Sequence, residues 1–240
     1  MEHTKAMPDP DPLLSQISDT AHETCLFNRV RRELLKSWFE DRIGTDISAK
    51  FKPRRSHIVF RGSRGKLKVA AHALALIDAN RHTLTWAWAL EKPLGNVEPS
   101  FAHALRAAGV QRGLQAFDAP ILDVSGADLS RIGTEVCFAA ISLLGREYLA
   151  YEVPIGPDGS IGLFILEFDD EEPPMPTSEE ISARLDQVLG DSFDPLASLE
   201  GLVDTEPGWR LAELNATQHI LRDPMGNEHI VEGLRHCAMA

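Results

Sequence analysis

Between Asp169 and Pro176 the chain reads Asp-Asp-Glu-Glu-Pro-Pro-Met-Pro, four acids and three prolines in eight residues. Proline has no N–H to give and fixes φ, and neighbouring carboxylates repel, so this stretch can join neither a sheet ladder nor a helix interior. It therefore divides the chain. Residues 1–170 are expected to close a main α+β domain, 171–177 to form an acidic proline-rich linker, and 178–240 to make a small acidic helix-plus-hairpin region. With 240 residues, 43% of them hydrophobic, there is apolar material for one large domain and an appendage.

Before the divide, Asp11-Pro12 reads as a helix start. Leu14, Ile17, Ala21, Cys25, Phe27, Val30, Leu34, Leu35 and Trp38 then recur at helical spacing, which predicts one long amphipathic helix ending near Gly44. Strands are expected over 46–52, 57–61, 67–77 and 83–89, helices over 98–109 and 127–144. Two further β-prone runs, 147–155 and 161–168, are joined by the hairpin signal Gly156-Pro157-Asp158-Gly159. Together these predict an antiparallel sheet of about six strands packed by the long N-terminal helix and two further helices. After the linker, Thr177 and Glu180 make a capping box for a helix to about Leu189. Short strands follow at 209–213, 218–222 and 228–231, with Asp223-Pro224-Met225-Gly226 as a turn.

Charge is distributed unevenly. The chain has 24 Lys and Arg against 36 Asp and Glu, net -12, which argues against bulk affinity for nucleic acid or membrane surfaces. Yet Lys50, Lys52, Arg54, Arg55, Arg61, Arg64, Lys66 and Lys68 fall in one window, KFKPRRSHIVFRGSRGKLK, that contains no acid. Its Gly and Pro punctuation predicts a basic β-hairpin. Residues 173–240 carry twelve acids and four arginines, net -8. The bland reading of the window is a solvated strand face guarding a sheet edge. The internal reading lays Asp169 to Glu172, or the acidic tail, across it. The functional reading gives it an anionic partner, with Phe51, Phe60 and His57 interleaved among the cations as candidate base-stacking groups.

Trp86 and Trp88 in Thr83-Leu84-Thr85-Trp86-Ala87-Trp88-Ala89 are two residues apart and are expected on one strand face, mostly buried, with ligand stacking as the alternative. This run, the loop Glu91-Lys92-Pro93, the small helix with Leu105, Ala108 and Gly109, the Ala-rich helix before Leu149-Ala150-Tyr151 and the apolar hairpin to Phe168 resemble a family of uncharacterised bacterial proteins known as a domain of unknown function. The resemblance covers residues 13 to 168 and implies a shared α+β fold and no assigned chemistry. The tail after Pro176 lies outside it.

The remaining chemistry-bearing residues fit no reaction signature. Nine histidines include no His-Glu-x-x-His and no pair at zinc spacing; His229, His236 and Cys237 could converge only by chance, and His72 in an apolar strand is expected to be structural. Cys137 reads as a small buried hydrophobe, and three widely spaced cysteines suit a reducing compartment. Ser63 lies in a glycine-rich turn that lacks a nucleophile elbow and is too short for a phosphate loop. Asp123 with Asp128, and Glu147 with Glu152, are carboxylate pairs with no identifiable partner. Neither a signal peptide, a transit peptide nor a membrane span is legible.

The reading is a cytoplasmic, non-enzymatic binding or regulatory protein, of the kind that neutralises a partner as immunity proteins do, with no cofactor and no metal. One alternative is an enzyme with a dispersed site near the Trp86 and Trp88 face, with His57 or His82 at a pocket. The other is an anion or nucleic-acid binder acting through the hairpin 50–68. The partners expected at that hairpin are an acidic protein surface, the chain's own acidic tail or nucleic acid, and no membrane.

Overall fold

Short polar contacts set the ends of the helices in the computed structural model, which describes residues 11–96, 98–169, 171–190, 192, 194–215 and 218–232. The Asp11 carboxylate accepts the Leu13 N–H at 2.9 Å and opens α1 (Leu13–His22). Asp128 accepts from the N–H groups of Ser130 and Arg131 and opens α4 (Leu129–Leu144). Gly44, at φ +86°, closes α2 (Cys25–Ile43), a conformation in which a side chain would be strained.

The single long N-terminal helix expected from periodicity is two helices. The break falls at Glu23 and Thr24, neither of them a helix breaker. Thr24 Oγ1 donates to the Phe138 carbonyl of α4 at 3.1 Å and accepts from Asn28 Nδ2 at 2.9 Å, while Thr205 Oγ1 donates to the freed Glu23 carbonyl at 3.1 Å. Tertiary partners thus replace the helical hydrogen bonds, which helical spacing cannot reveal.

Seven antiparallel strands form the main sheet: β1 (Ser48–Lys52), β2 (His57–Arg61), β3 (Lys66–Asp78), β4 (Thr83–Trp86), β5 (Ile121–Asp123), β6 (Leu149–Pro154) and β7 (Ile161–Glu167). The order runs β1-β2-β3-β4-β5, with β7 pairing β3 and β6 pairing β7. The fold is α+β, as the sequence indicates. The unexpected strand is β5, three residues long and beyond the reach of pattern reading. The strand expected over 83–89 stops at Trp86. There the backbone N–H goes to the Pro120 carbonyl, the indole N–H to the Ala116 carbonyl at 3.0 Å, and Ala87–Ala89 wind into a 3-10 turn.

β7 is the buried centre. Leu163 and Ile165 face a core shared with α1, α3 (Ser100–Gln111) and α4, whereas Phe164 and Leu166 face a second core with Leu35, Trp38 and Phe39 of α2. Residues 171–177 have no regular structure, and Glu171 pairs with Arg42 of α2. Beyond them lie α5 (Ser178–Gly190), α6 (Pro195–Thr205) and a three-stranded sheet ordered β10-β9-β8, from β8 (Arg210–Asn215), β9 (Gln218–Arg222) and β10 (Glu228–Glu232). Helix α6 was not foreseen, although Asp194-Pro195 is a capping signal and Asp194 does accept the Ala197 N–H. A third core joins this region to α2, with Leu26, Phe27 and Val30 packed against Ile181, Leu185, Leu199, Trp209 and Leu221.

Candidate anion-binding face

The alternation of β1, β2 and β3 separates the basic window into two sides. Phe51, Ile58, Phe60 and Val69 point into the core beneath α2. Lys50, Lys52, His57, Val59, Arg61, Lys66 and Lys68 occupy the other side, because successive residues of a strand point to opposite faces. Register fixes their order. Lys50 lies opposite Val59, which lies opposite Lys68; Lys52 lies opposite His57; and Arg61 lies opposite Lys66. Val59, half-buried, is therefore an apolar centre with lysines on both flanking strands, each about 5 Å away across the ladder.

Pro53–Arg55 form a 3-10 turn between β1 and β2, carrying Arg54 and Arg55 exposed at the rim of this face. Ser56, at φ +47°, ends the turn and is buried, and its hydroxyl accepts the Asn96 N–H at 2.8 Å. The loop that follows Trp88 thereby props the turn, with Asn96 Nδ2 donating to the Arg54 carbonyl. His57 bonds through Nδ1 to the Arg55 carbonyl. Lys52, Pro53, Arg54, Arg55, His57, Val59 and Lys68 together line a groove of about 760 Å³.

Arg64 behaves differently from its neighbours in the window. Its guanidinium donates to the Glu40 and Asp41 carbonyls and so caps the C-terminus of α2. Among the described residues no acidic side chain pairs with any of the eight cations. The acids of the linker and tail turn elsewhere: Glu171 to Arg42, Glu206 to Arg146, Glu228 to Arg222 and Asp223 to His229.

Stacking on the interleaved aromatics is corrected by the structure. Phe51 is 7% exposed and Phe60 fully buried, both on the side of the sheet away from the cations, because the period of two that puts lysines outward puts these rings inward. Trp86 is 1% exposed, tilted against Phe117 at 5.3 Å. Trp88 is half-buried beside it, with the Arg106 guanidinium 4.2 Å above its ring.

The other chemistry-bearing residues have structural partners. Asp128 caps α4, Asp123 accepts the Ser125 N–H, and Glu152 takes both nitrogens of Arg32 at 2.9 and 3.1 Å together with the Thr134 hydroxyl. Ser63 accepts the Thr45 N–H at 3.1 Å, and His72 meets Glu167 at 2.8 Å. Burial pushes the Cys137 thiol far up, away from thiolate chemistry. No group of three His, Cys, Asp or Glu among the described residues is placed to hold a metal ion; His236 and Cys237 lie outside those residues.

Sequence reading missed one cluster. Ser182 Oγ donates to Asp223 at 2.8 Å and lies 2.9 Å from His229 Nε2. In a nucleophilic triad the carboxylate holds the imidazole through Nδ1 and the serine faces only the base. Here the serine hydroxyl donates its hydrogen bond to the carboxylate, which also accepts from Asn227 and Met225, so the cluster locks the β9–β10 turn onto α5. Burial raises the Asp223 carboxyl, but hydrogen bonds from Asn227, Ser182 and Met225 outweigh it and hold the group down at about 2. Glu206 is shifted upward by burial, against the pull of Arg146. Neither lines the groove.

Fold and face together define an α+β protein with a cationic sheet surface that no described helix covers. The chain belongs to DUF6882, a family of unknown function, whose model matches residues 18–169. That span contains the whole main sheet and the groove, and it ends before α5. No curated protein and no solved structure matches the chain. No helix among the described residues is long and apolar enough to cross a membrane.

Proposed function

We propose that this protein is a non-enzymatic binding protein that engages an anionic partner through the outer face of β1, β2 and the first half of β3. One observation carries the reading: Lys50, Lys52, Arg61, Lys66 and Lys68 share a single sheet face with His57 and a groove, while the chain's acids form their pairs elsewhere. Helices cover the same sheet further along β3 and β7, and the covering stops where the cations begin. Such a face suits a regulator that neutralises an acidic partner by covering it. Two buried free thiols, Cys25 and Cys137, fit work in a reducing cytoplasm.

The test is retention on heparin. The wild-type protein is expected to bind at low salt and elute as salt rises, because each neutralised anion releases counterions. Among the described residues Arg54 and Arg55 make no side-chain contact that holds the turn, so R54E/R55E is expected to keep the fold and to elute markedly earlier. Passage of both proteins unretained at low salt overturns the reading.

A further inference from the structure

The make-up of the groove narrows its occupant, an inference that rests on the anion-binding reading above. Its apolar part, here the floor, is Pro53, Val59 and the methylene stems of Lys52 and Lys68, and its polar part, the rim, is the Lys52 and Lys68 ammonium groups, the Arg54 and Arg55 guanidinium groups and the His57 imidazole. At about 760 Å³ it falls within the roughly 300–1,000 Å³ usual for ligand pockets. A nucleic-acid backbone could use the rim, but it has no apolar group to set on the floor. Proteins that hold splayed bases usually stack them on aromatic side chains. Among the described residues no aromatic ring other than the His57 imidazole lines the groove, and Phe51 and Phe60 are on the far side of the sheet.

Length matters as well. The whole chain is net -12, so a long polyanion that runs past the patch meets repulsion, whereas a short acidic segment meets only the patch. Arginine at the rim adds planar, two-pronged donors that match a carboxylate. We propose that the groove binds a short acidic segment of a protein partner, with one aliphatic side chain seated on Pro53 and Val59 and carboxylates on either side paired to Lys52, Arg54, Arg55 and Lys68.

The experiment uses the full chain and a labelled synthetic peptide with acidic residues around a central leucine, against the same peptide with glycine at the centre. A duplex DNA oligonucleotide is a third probe, and all are measured by fluorescence anisotropy at one salt concentration. The leucine peptide is expected to bind about tenfold more tightly than the glycine peptide, about 1.4 kcal/mol. V59S should bring the two peptides to equal affinity. Equal affinity for the two peptides, with heparin retention intact, overturns the peptide groove and leaves the anionic face standing. Tighter binding of the duplex than of the leucine peptide overturns it in favour of nucleic acid. Failure of every probe together with loss of heparin retention removes both readings.

Discussion

Replacing Gly201 by alanine tests whether the C-terminal region is seated on the joint between α1 and α2. Gly201 lies inside α6, and a Cβ there would sit 2.4 Å from the His22 carbonyl oxygen, 2.7 Å from Glu23 Cα and 2.9 Å from the His22 carbonyl carbon. All three are backbone atoms, so no side chain can rotate out of the way and α6 itself must retreat. In an unpacked helix the same change would stabilise by about 1 kcal/mol. Against this stand an overpacking cost of about 1–3 kcal/mol and about 1 kcal/mol for the Thr205 to Glu23 hydrogen bond stretched by the retreat. The balance is a loss of about 1–3 kcal/mol, and at about 2–4 °C per kcal/mol for a chain of this size the melting temperature should fall by about 2–12 °C. G190A, at the end of α5 where a Cβ meets nothing within 4 Å, is the control and should melt at or slightly above wild type. Melting curves by circular dichroism, with hydrogen exchange at α6, read both. A G201A protein that melts at or above wild type would refute close packing of α6 on the joint.

Two further outcomes follow from side chains already described. W86A should cost about 3–5 kcal/mol by chemical denaturation, since it empties a fully buried site and strands the Ala116 carbonyl, whereas W88A, half-buried, should cost distinctly less; equal small losses would place both rings at the surface. Asp223 is held down at about 2 from an ordinary 3.8, so its contribution is complete above about pH 4 and is lost as pH falls from there towards 2; D223N should flatten that acid limb in a pH series of melts, and an unchanged limb would show that the turn lock is not what titrates.

The sequence disclosed what depends on local pattern and hid what depends on distant partners. The hairpins of β1 to β3 and of β6 to β7 were legible because period-two alternation and Gly-Pro-Asp-Gly turns are local. The helix break at Thr24 was hidden because its cause lies more than 100 residues away at Phe138 and further still at Thr205. The closure of residues 1–170 as a separate core was expected from the linker composition. In the structure the Leu26, Phe27 and Val30 stripe of α2 is completed by Ile181, Leu199 and Trp209 from beyond the linker. A stripe on an amphipathic helix shows that something covers it, not which segment does. At the candidate site the cations were legible as a charge run, while their sorting was not. Register put five of them on one face, the 3-10 turn put Arg54 and Arg55 at the rim, and the end of α2 took Arg64.

That sorting also weighs the bland account of the face, protection of open sheet edges, against recognition. β1 pairs only with β2, and β7 joins β3 only from Ala70 onward, so Lys50, Lys52, Lys66 and Lys68 all stand on strand segments with an unpaired side. Lysine is the residue most used to blunt such edges, and this role accounts for all four. It does not account for the arginines. Arg61 is on β2, which is paired on both sides, and it sits directly opposite Lys66, a like-charge pair that weakens the ladder instead of guarding it. Arg54 and Arg55 are on a turn, where there is no edge to guard. Arginine differs from lysine in offering a fixed fork of donors for carboxylate or phosphate. The lysines thus serve the edges and charge the face at once, whereas the arginine pair beside the groove has no role at an edge and weighs for recognition.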